Sequence, residues 1–212
     1  EWLGEVPEHW DVKQVRHLVN TAGGGTPSKE REDYWAGDIP WISPKDMKRD
    51  YLDSSEDAIT CEAVANSSVK LLPSGCLLIV VRGMILAHSV PVGIATREFT
   101  INQDMKALMP HSSTTSDYLL YLFKGLRDRL LELVEDSAHG TKKLGTEMFQ
   151  RLPIPIPPML EQGSILKDIL RQVGRIDLLV DRADKAHSLL VERRTALISA
   201  AVTGKIDVRE AV

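Results

Sequence analysis

The sequence predicts an α+β protein, a mixed β-rich globular domain followed by a long C-terminal coiled-coil helix, and three observations carry that reading. Short apolar runs punctuated by glycine and proline fill the first three quarters of the chain. Residues 152–158, Leu-Pro-Ile-Pro-Ile-Pro-Pro, then forbid helix and force an extended connector. From Leu166 onward, apolar residues recur at alternating steps of three and four. The boundary is placed after the proline run, giving one domain over residues 1–158 and a second over residues 159–212.

The elements follow in chain order. Residues 10–18 alternate enough for a first strand, and Gly23-Gly24-Gly25-Thr26-Pro27-Ser28 reads as a loop with many exposed backbone amides. Residues 38–44 form a short extended segment between prolines. Leu71-Leu72-Pro73-Ser74-Gly75 is a turn feeding an apolar strand over residues 76–81, and a second strand follows over residues 92–96. Ser116 is placed as the cap of a helix reaching about residue 136, because Leu119, Leu122, Phe123, Leu126, Leu130 and Leu133 fall on one helical face.

The C-terminal pattern is the most regular. Leu166, Ile169, Val173, Ile176, Val180, Ala183, His187, Leu190, Arg194, Leu197 and Ala201 make a heptad seam, interrupted by His187 and Arg194. At about 1.5 Å per residue that seam is about 54 Å long, and a helix of that length needs a partner. Polar seam residues either fix register or reach sideways into water.

Composition narrows the function. With 212 residues, 43% hydrophobic and 26% charged, the chain is an ordinary globular protein of one or two domains. Its longest apolar run is far shorter than the roughly 20 residues of a membrane span, and the first residues are acidic, so a soluble, cytoplasmic protein without membrane contact is expected. Cys61 and Cys76 read as reduced, buried small hydrophobes. The balance of 26 basic and 30 acidic residues gives a net charge of -4, which advertises no bulk attraction for nucleic acid.

Catalytic constellations are missing. The glycine loop at residues 23–28 lacks the lysine and hydroxyl of a phosphate cradle, and the histidines show no His-x-x-x-His pair. No Gly-x-Ser-x-Gly elbow occurs. The chain is therefore read as non-catalytic, with no cofactor and no metal.

Ordered blocks run over nearly the whole chain. The opening blocks are Pro7-Glu8-His9-Trp10, Gly24-Gly25-Thr26-Pro27-Ser28, Tyr34, Gly37 and Ile39-Pro40-Trp41-Ile42. Leu72-Pro73-Ser74-Gly75 and Ile101-Asn102-Gln103-Asp104 follow in the middle, and the proline run, Glu161-Gln162, residues 193–198 and Thr203-Gly204-Lys205-Ile206 close the series. In this order they resemble one half of the specificity subunit of type I restriction-modification systems, the first two groups its target recognition domain and the last its helical region. The resemblance implies a DNA-reading subunit that works with adenine methyltransferase and restriction subunits, which hold the chemistry. A full subunit carries two such halves, so this chain resembles either a natural half subunit or an excised half. Either would pair through Leu166, Ile169, Val173, Ile176, Val180, Ala183, His187, Leu190, Leu197 and Ala201, as a homodimer if the half is natural.

Candidate contacts to double-stranded DNA are Thr26, Ser28, Lys45, Arg82, Gln103, Lys106, Lys142 and Lys143. Arg82 follows an apolar strand and precedes Gly83, which suits a guanidinium held rigidly for guanine. Gln103 suits adenine, although Asn102-Gln103-Asp104 reads equally as a self-bonded turn. Lys142-Lys143 reads as a mobile basic loop near phosphate. Trp35 and Trp41 are assigned to the core. The competing reading is a coiled-coil scaffold whose acidic head binds protein instead of DNA.

Overall fold

The structure, a computed structural model, describes residues 3–137 and 140–206. Among the described residues twelve short strands form: β1 (Asp11–Gln14), β2 (Val19–Gly23), β3 (Trp35–Ile42), β4 (Tyr51–Leu52), β5 (Ala58–Ile59), β6 (Leu77–Val80), β7 (Val92–Ala95), β8 (Thr100–Ile101), β9 (Met105–Pro110), β10 (Val134–Asp136), β11 (Lys142–Leu144) and β12 (Pro153–Ile156). Five helices accompany them: α1 (Cys61–Ala65), α2 (Ser116–Gly125), α3 (Arg127–Leu131), α4 (Thr146–Arg151) and α5 (Met159–Val202). The principal sheet has the order β2-β9-β6-β7-β4, a smaller one has β5-β3-β8, and β1-β12 and β10-β11 are two-stranded ribbons.

The apolar run marked in the sequence lies at the centre of the principal sheet. All four side chains of β6 are buried because α2 covers it and β9 and β7 flank it. Each such aliphatic contributes about 1.5–3 kcal/mol on burial. The surrounding core takes in Leu18, Phe99, Leu119, Phe123, Phe149 and Ile154. A second, smaller core of Tyr34, Trp41, Ile59, Ala63 and Val69 sits under β3 and β5.

Several expectations need correction. The helix expected over residues 116–136 is two helices and a strand: α2 stops at Gly125, a poor helix former, and α3 and β10 follow. The apolar spacing stays intact across the break, which is why periodicity alone hides it. The cap is Thr115, whose hydroxyl accepts the Tyr118 amide, while Ser116 donates to the Gly75 carbonyl. The first strand ends at Gln14, where a 3₁₀ turn over Val15–His17 takes over and buries Val15. Cys61 is exposed at the start of α1; Cys76 is buried, and its burial pushes the thiol pKa up.

The proline run is extended, as expected, and its residues 153–156 also pair with β1 as a strand. Pro153 and Pro155 of β12 face outward opposite Gln14 and Val12 of β1, while Ile154 and Ile156 are buried between them. Prolines are tolerated there because a two-stranded ribbon has an open edge that needs no donor.

The chain separates into two compact units, Glu1–Leu166 and Lys167–Val212. In the first, Gln162 is buried near the start of α5: its amide donates to the carbonyls of Ser113 and Pro157, both at 2.9 Å, and accepts from the Thr114 hydroxyl at 3.2 Å. Glu161 accepts from His9 and from the Trp10 indole, and the His9 contact, with Trp10, holds the carboxyl below its usual range. The second unit holds the rest of α5, which has 44 residues in all.

Candidate nucleic-acid interface

One end of the principal sheet gathers four chain segments through backbone hydrogen bonds. Gly25 donates to the Ile101 carbonyl at 2.9 Å, fixing the glycine loop against the β8–β9 turn. Val81 and Arg82 both donate to the Asp104 carbonyl, at 2.8 and 3.1 Å, where β6 runs out. Gly83 donates to the Lys142 carbonyl at 3.0 Å, and Leu144 donates back to Val81 at 2.9 Å, bringing in β11. These links assemble Thr26, Arg82, Gln103, Lys106, Lys142 and Lys143, which span more than half of the sequence.

The glycine loop is tighter than the sequence suggests. A Cβ on Gly24 would lie 2.1 Å from the Ile101 carbonyl oxygen, so only glycine fits between β2 and the β8–β9 turn. The self-bonded reading of the turn also applies: the Asn102 side chain accepts the Asp104 amide at 3.0 Å. That turn leaves Gln103 exposed, and the Thr26 hydroxyl donates to its carbonyl oxygen at 2.5 Å. Both side chains thus present as one polar unit.

The cations at this end differ in availability. The exposed Arg82 guanidinium has no hydrogen-bond or ion-pair partner among the described residues, and neither has the Lys106 ammonium, opposite Gly23 on β2. Lys142 and Lys143 are not on a mobile loop. They stand on β11 directly across from Asp136 and Glu135 of β10 and pair with them at 2.7 and 3.5 Å.

Lys45 sits beside the smaller core, and Ser28, two residues after Thr26, contacts Trp35 there. Ser28 accepts the Trp35 indole N–H through its carbonyl at 3.2 Å. Lys45 bridges Asp57 at 2.9 Å and Glu56 at 3.2 Å, and those hydrogen bonds raise its pKa. Trp41 is buried and donates to the Gly25 carbonyl at 2.9 Å; Trp35 is only half-buried and meets it edge to face at 5.2 Å. Lys29, Trp35, Trp41 and Asp57 line a shallow cavity of about 290 Å³.

Met84 and Ile85 lie outside the candidate contacts that the sequence marks. They open a 3₁₀ turn, Met84–Ala87, immediately after Arg82 and Gly83, and are 63% and 43% exposed. The available signal was an apolar pair directly behind a glycine, and Gly83 indeed has φ 131°. His139 lies outside the described residues.

On α5 the seam side chains Val173, Ile176, Val180, Leu190 and Leu197 are all exposed, each at 41% or more. Among the described residues no group of three or more His, Cys, Asp or Glu side chains is placed to hold a metal ion. No helix of the described residues is long and apolar enough to cross a membrane.

Residues 7–185 match the type I restriction modification DNA specificity domain. The chain is 40% identical over 156 residues to the type I restriction enzyme EcoR124I/EcoR124II specificity subunit of Escherichia coli, covering 73% of this chain and 39% of that protein. It is 33% identical over 196 residues to the type I restriction enzyme MjaIX specificity subunit of Methanocaldococcus jannaschii, covering 89% of this chain and 42% of that protein. Its fold is similar to a chain in a solved structure concerned with assembly and conformational transition of the type I R-M system. The TM-score is 0.72 at 20% identity, over 93% of this chain and 47% of that one. The chain thus spans about two fifths of the length of these curated relatives.

Proposed function

Since the chain belongs to the type I restriction modification DNA specificity family, we propose that residues 1–158 are a target recognition domain reading one half of a bipartite duplex site, and that residues 159–212 are its spacer and pairing helix. The observation that carries this reading is the gathering of Thr26, Gln103, Arg82, Lys106, Lys142 and Lys143 at one end of the sheet, with Arg82 unpaired among the described residues. A guanidinium on a rigid edge suits bidentate contact with guanine, and the carboxamide of Gln103 suits adenine. Ser28 and Lys45, beside the smaller core, serve as outlying phosphate contacts.

The charge balance fits a subunit that binds with partners. Residues 1–160 hold 17 basic and 22 acidic side chains, so phosphate affinity comes largely from adenine methyltransferase subunits, and base discrimination from a few side chains here. Methylation and cleavage reside in those methyltransferase subunits and in a restriction subunit, with all of them acting on DNA in the cytoplasm.

The seam of α5 pairs antiparallel with a second copy, placing a recognition domain at each end of the spacer. A separation of about 54 Å corresponds to roughly 16 base pairs, so the two half-sites flank an unread gap. The test is selection of bound duplexes from a randomised pool, with and without the methyltransferase subunit. A symmetric bipartite site is expected. No enrichment in either condition overturns the reading and favours a scaffold whose acidic head binds protein.

A further inference from the structure

The exposed apolar tip at Met84 and Ile85 is out of place on a polar rim unless something covers it. Isolated apolar side chains on a surface need no explanation, but this pair is mounted with care. Leu86, next in the chain, is buried in the core, at 1% exposure. The Gly83 amide is tied to the Lys142 carbonyl, and the Leu86 amide closes back on Gly83 at 3.2 Å. On the far side the His88 and Ser89 amides both return to the Ile85 carbonyl at 3.0 Å, and the Arg127 guanidinium donates to the His88 carbonyl at 2.8 Å. The backbone of the turn is therefore anchored before, within and after the two exposed residues, so that binding has only their side chains left to order.

Its neighbours identify the occupant. Arg82 precedes the tip in the chain, and its backbone stands opposite that of Lys143 in an isolated antiparallel β-bridge. The Lys142 carbonyl holds Gly83, and the Asp104 carbonyl holds Arg82 one residue from Gln103. An exposed apolar side chain on an anchored turn, beside cations that suit phosphate, is an arrangement that enters a base step from a groove. Met adapts to an irregular gap better than a branched residue.

We propose that Met84 is a wedge that enters a base step of the bound duplex and partly unstacks it, with Ile85 packing on the sugar beside it and Arg82 and Lys143 holding the flanking phosphates or base edge. The inference rests on the reading of residues 1–158 as a DNA-recognising domain. It adds a mode of recognition in which the deformability of the step, rather than a hydrogen bond, discriminates sequence.

The experiment uses the full chain, with the methyltransferase subunit, and the duplex recovered by selection, carrying 2-aminopurine at successive positions of one half-site. The wild-type protein raises 2-aminopurine fluorescence at one step only; Met84→Ala abolishes that rise and weakens binding about tenfold, while Met84→Leu retains most of both. Because Met84 is exposed, all three proteins keep the same melting temperature. Equal binding by wild type and Met84→Ala with no fluorescence rise in either overturns the wedge and leaves DNA recognition standing. Weakened binding without unstacking also overturns it, since it would mark surface contact with a thymine methyl. Failure of the wild-type protein to select any duplex removes the parent reading and the wedge with it.

Discussion

The Thr26 hydroxyl donates to Gln103 Oε1 across 77 residues of sequence, joining the glycine loop to the β8–β9 turn by their side chains. The bond engages the Gln103 carbonyl oxygen and leaves its amide nitrogen without a protein partner among the described residues. Thr26→Val should free Gln103 to rotate and lose about 0.5–1.5 kcal/mol of discrimination at one base position. Binding to single-substitution variants of the selected duplex measures this, and an unchanged preference at every position would remove the pair from recognition.

Arg82 and Lys142 should fail in different ways. Arg82→Ala is expected to cost about 1–3 kcal/mol on the selected duplex and little on others, whereas Lys142→Ala weakens all duplexes alike. Competition binding against unrelated DNA separates the two outcomes. Identical behaviour of both variants and wild type would exclude both side chains.

Leu190 is 64% exposed on α5, so charge there has no folded core to damage. Leu190→Glu is expected to abolish pairing of the helices while leaving the unfolding temperature of the globular unit unchanged. Sedimentation velocity gives the first quantity and calorimetry the second; a paired variant would exclude the seam.

Gln162 is the buried polar clasp at the start of α5. Gln162→Ala leaves the Ser113 and Pro157 carbonyls and the Thr114 hydroxyl without this partner, at a cost of about 2–4 kcal/mol. Denaturant unfolding should show a lower midpoint with an unchanged slope.

Glu161 predicts a pH dependence of fixed sign. Its carboxyl titrates below the ordinary 4.5 because His9, then Trp10, hydrogen-bonds the charged form. A depressed carboxylate contributes stability above the unfolded value, and that contribution is lost as pH falls through the folded one. Wild type should therefore loosen around residues 9–10 below about pH 4.5, with Glu161→Gln insensitive over that range. Trp10 fluorescence follows the transition, and parallel curves for both proteins would contradict the assignment.

Legibility in the sequence followed burial. The strand at residues 77–80 and its partner at 92–95 were readable because a strand buried on both faces is a continuous apolar run. Strand β2, Val-Asn-Thr-Ala-Gly, was missed because it lies at the sheet edge with largely exposed side chains and little apolar signal. The break at Gly125 was masked by leucines that keep helical spacing on either side of it. Six of the eight candidate contacts converge, but sequence alone did not say so, because their proximity is made by backbone bonds between distant turns. Met84 escaped because exposure of an apolar residue is a property of the folded surface.

The facing rows Glu135–Lys143 and Asp136–Lys142 make the β10–β11 hairpin close to neutral. It carries its own counterions. A phosphate that engages either lysine sheds its condensed cation, but the tethered carboxylate it displaces is left bare and draws a dissolved cation back. Affinity gained through this hairpin should then fall less steeply with ionic strength than the slope of about 0.9 per neutralised phosphate that untethered lysines show.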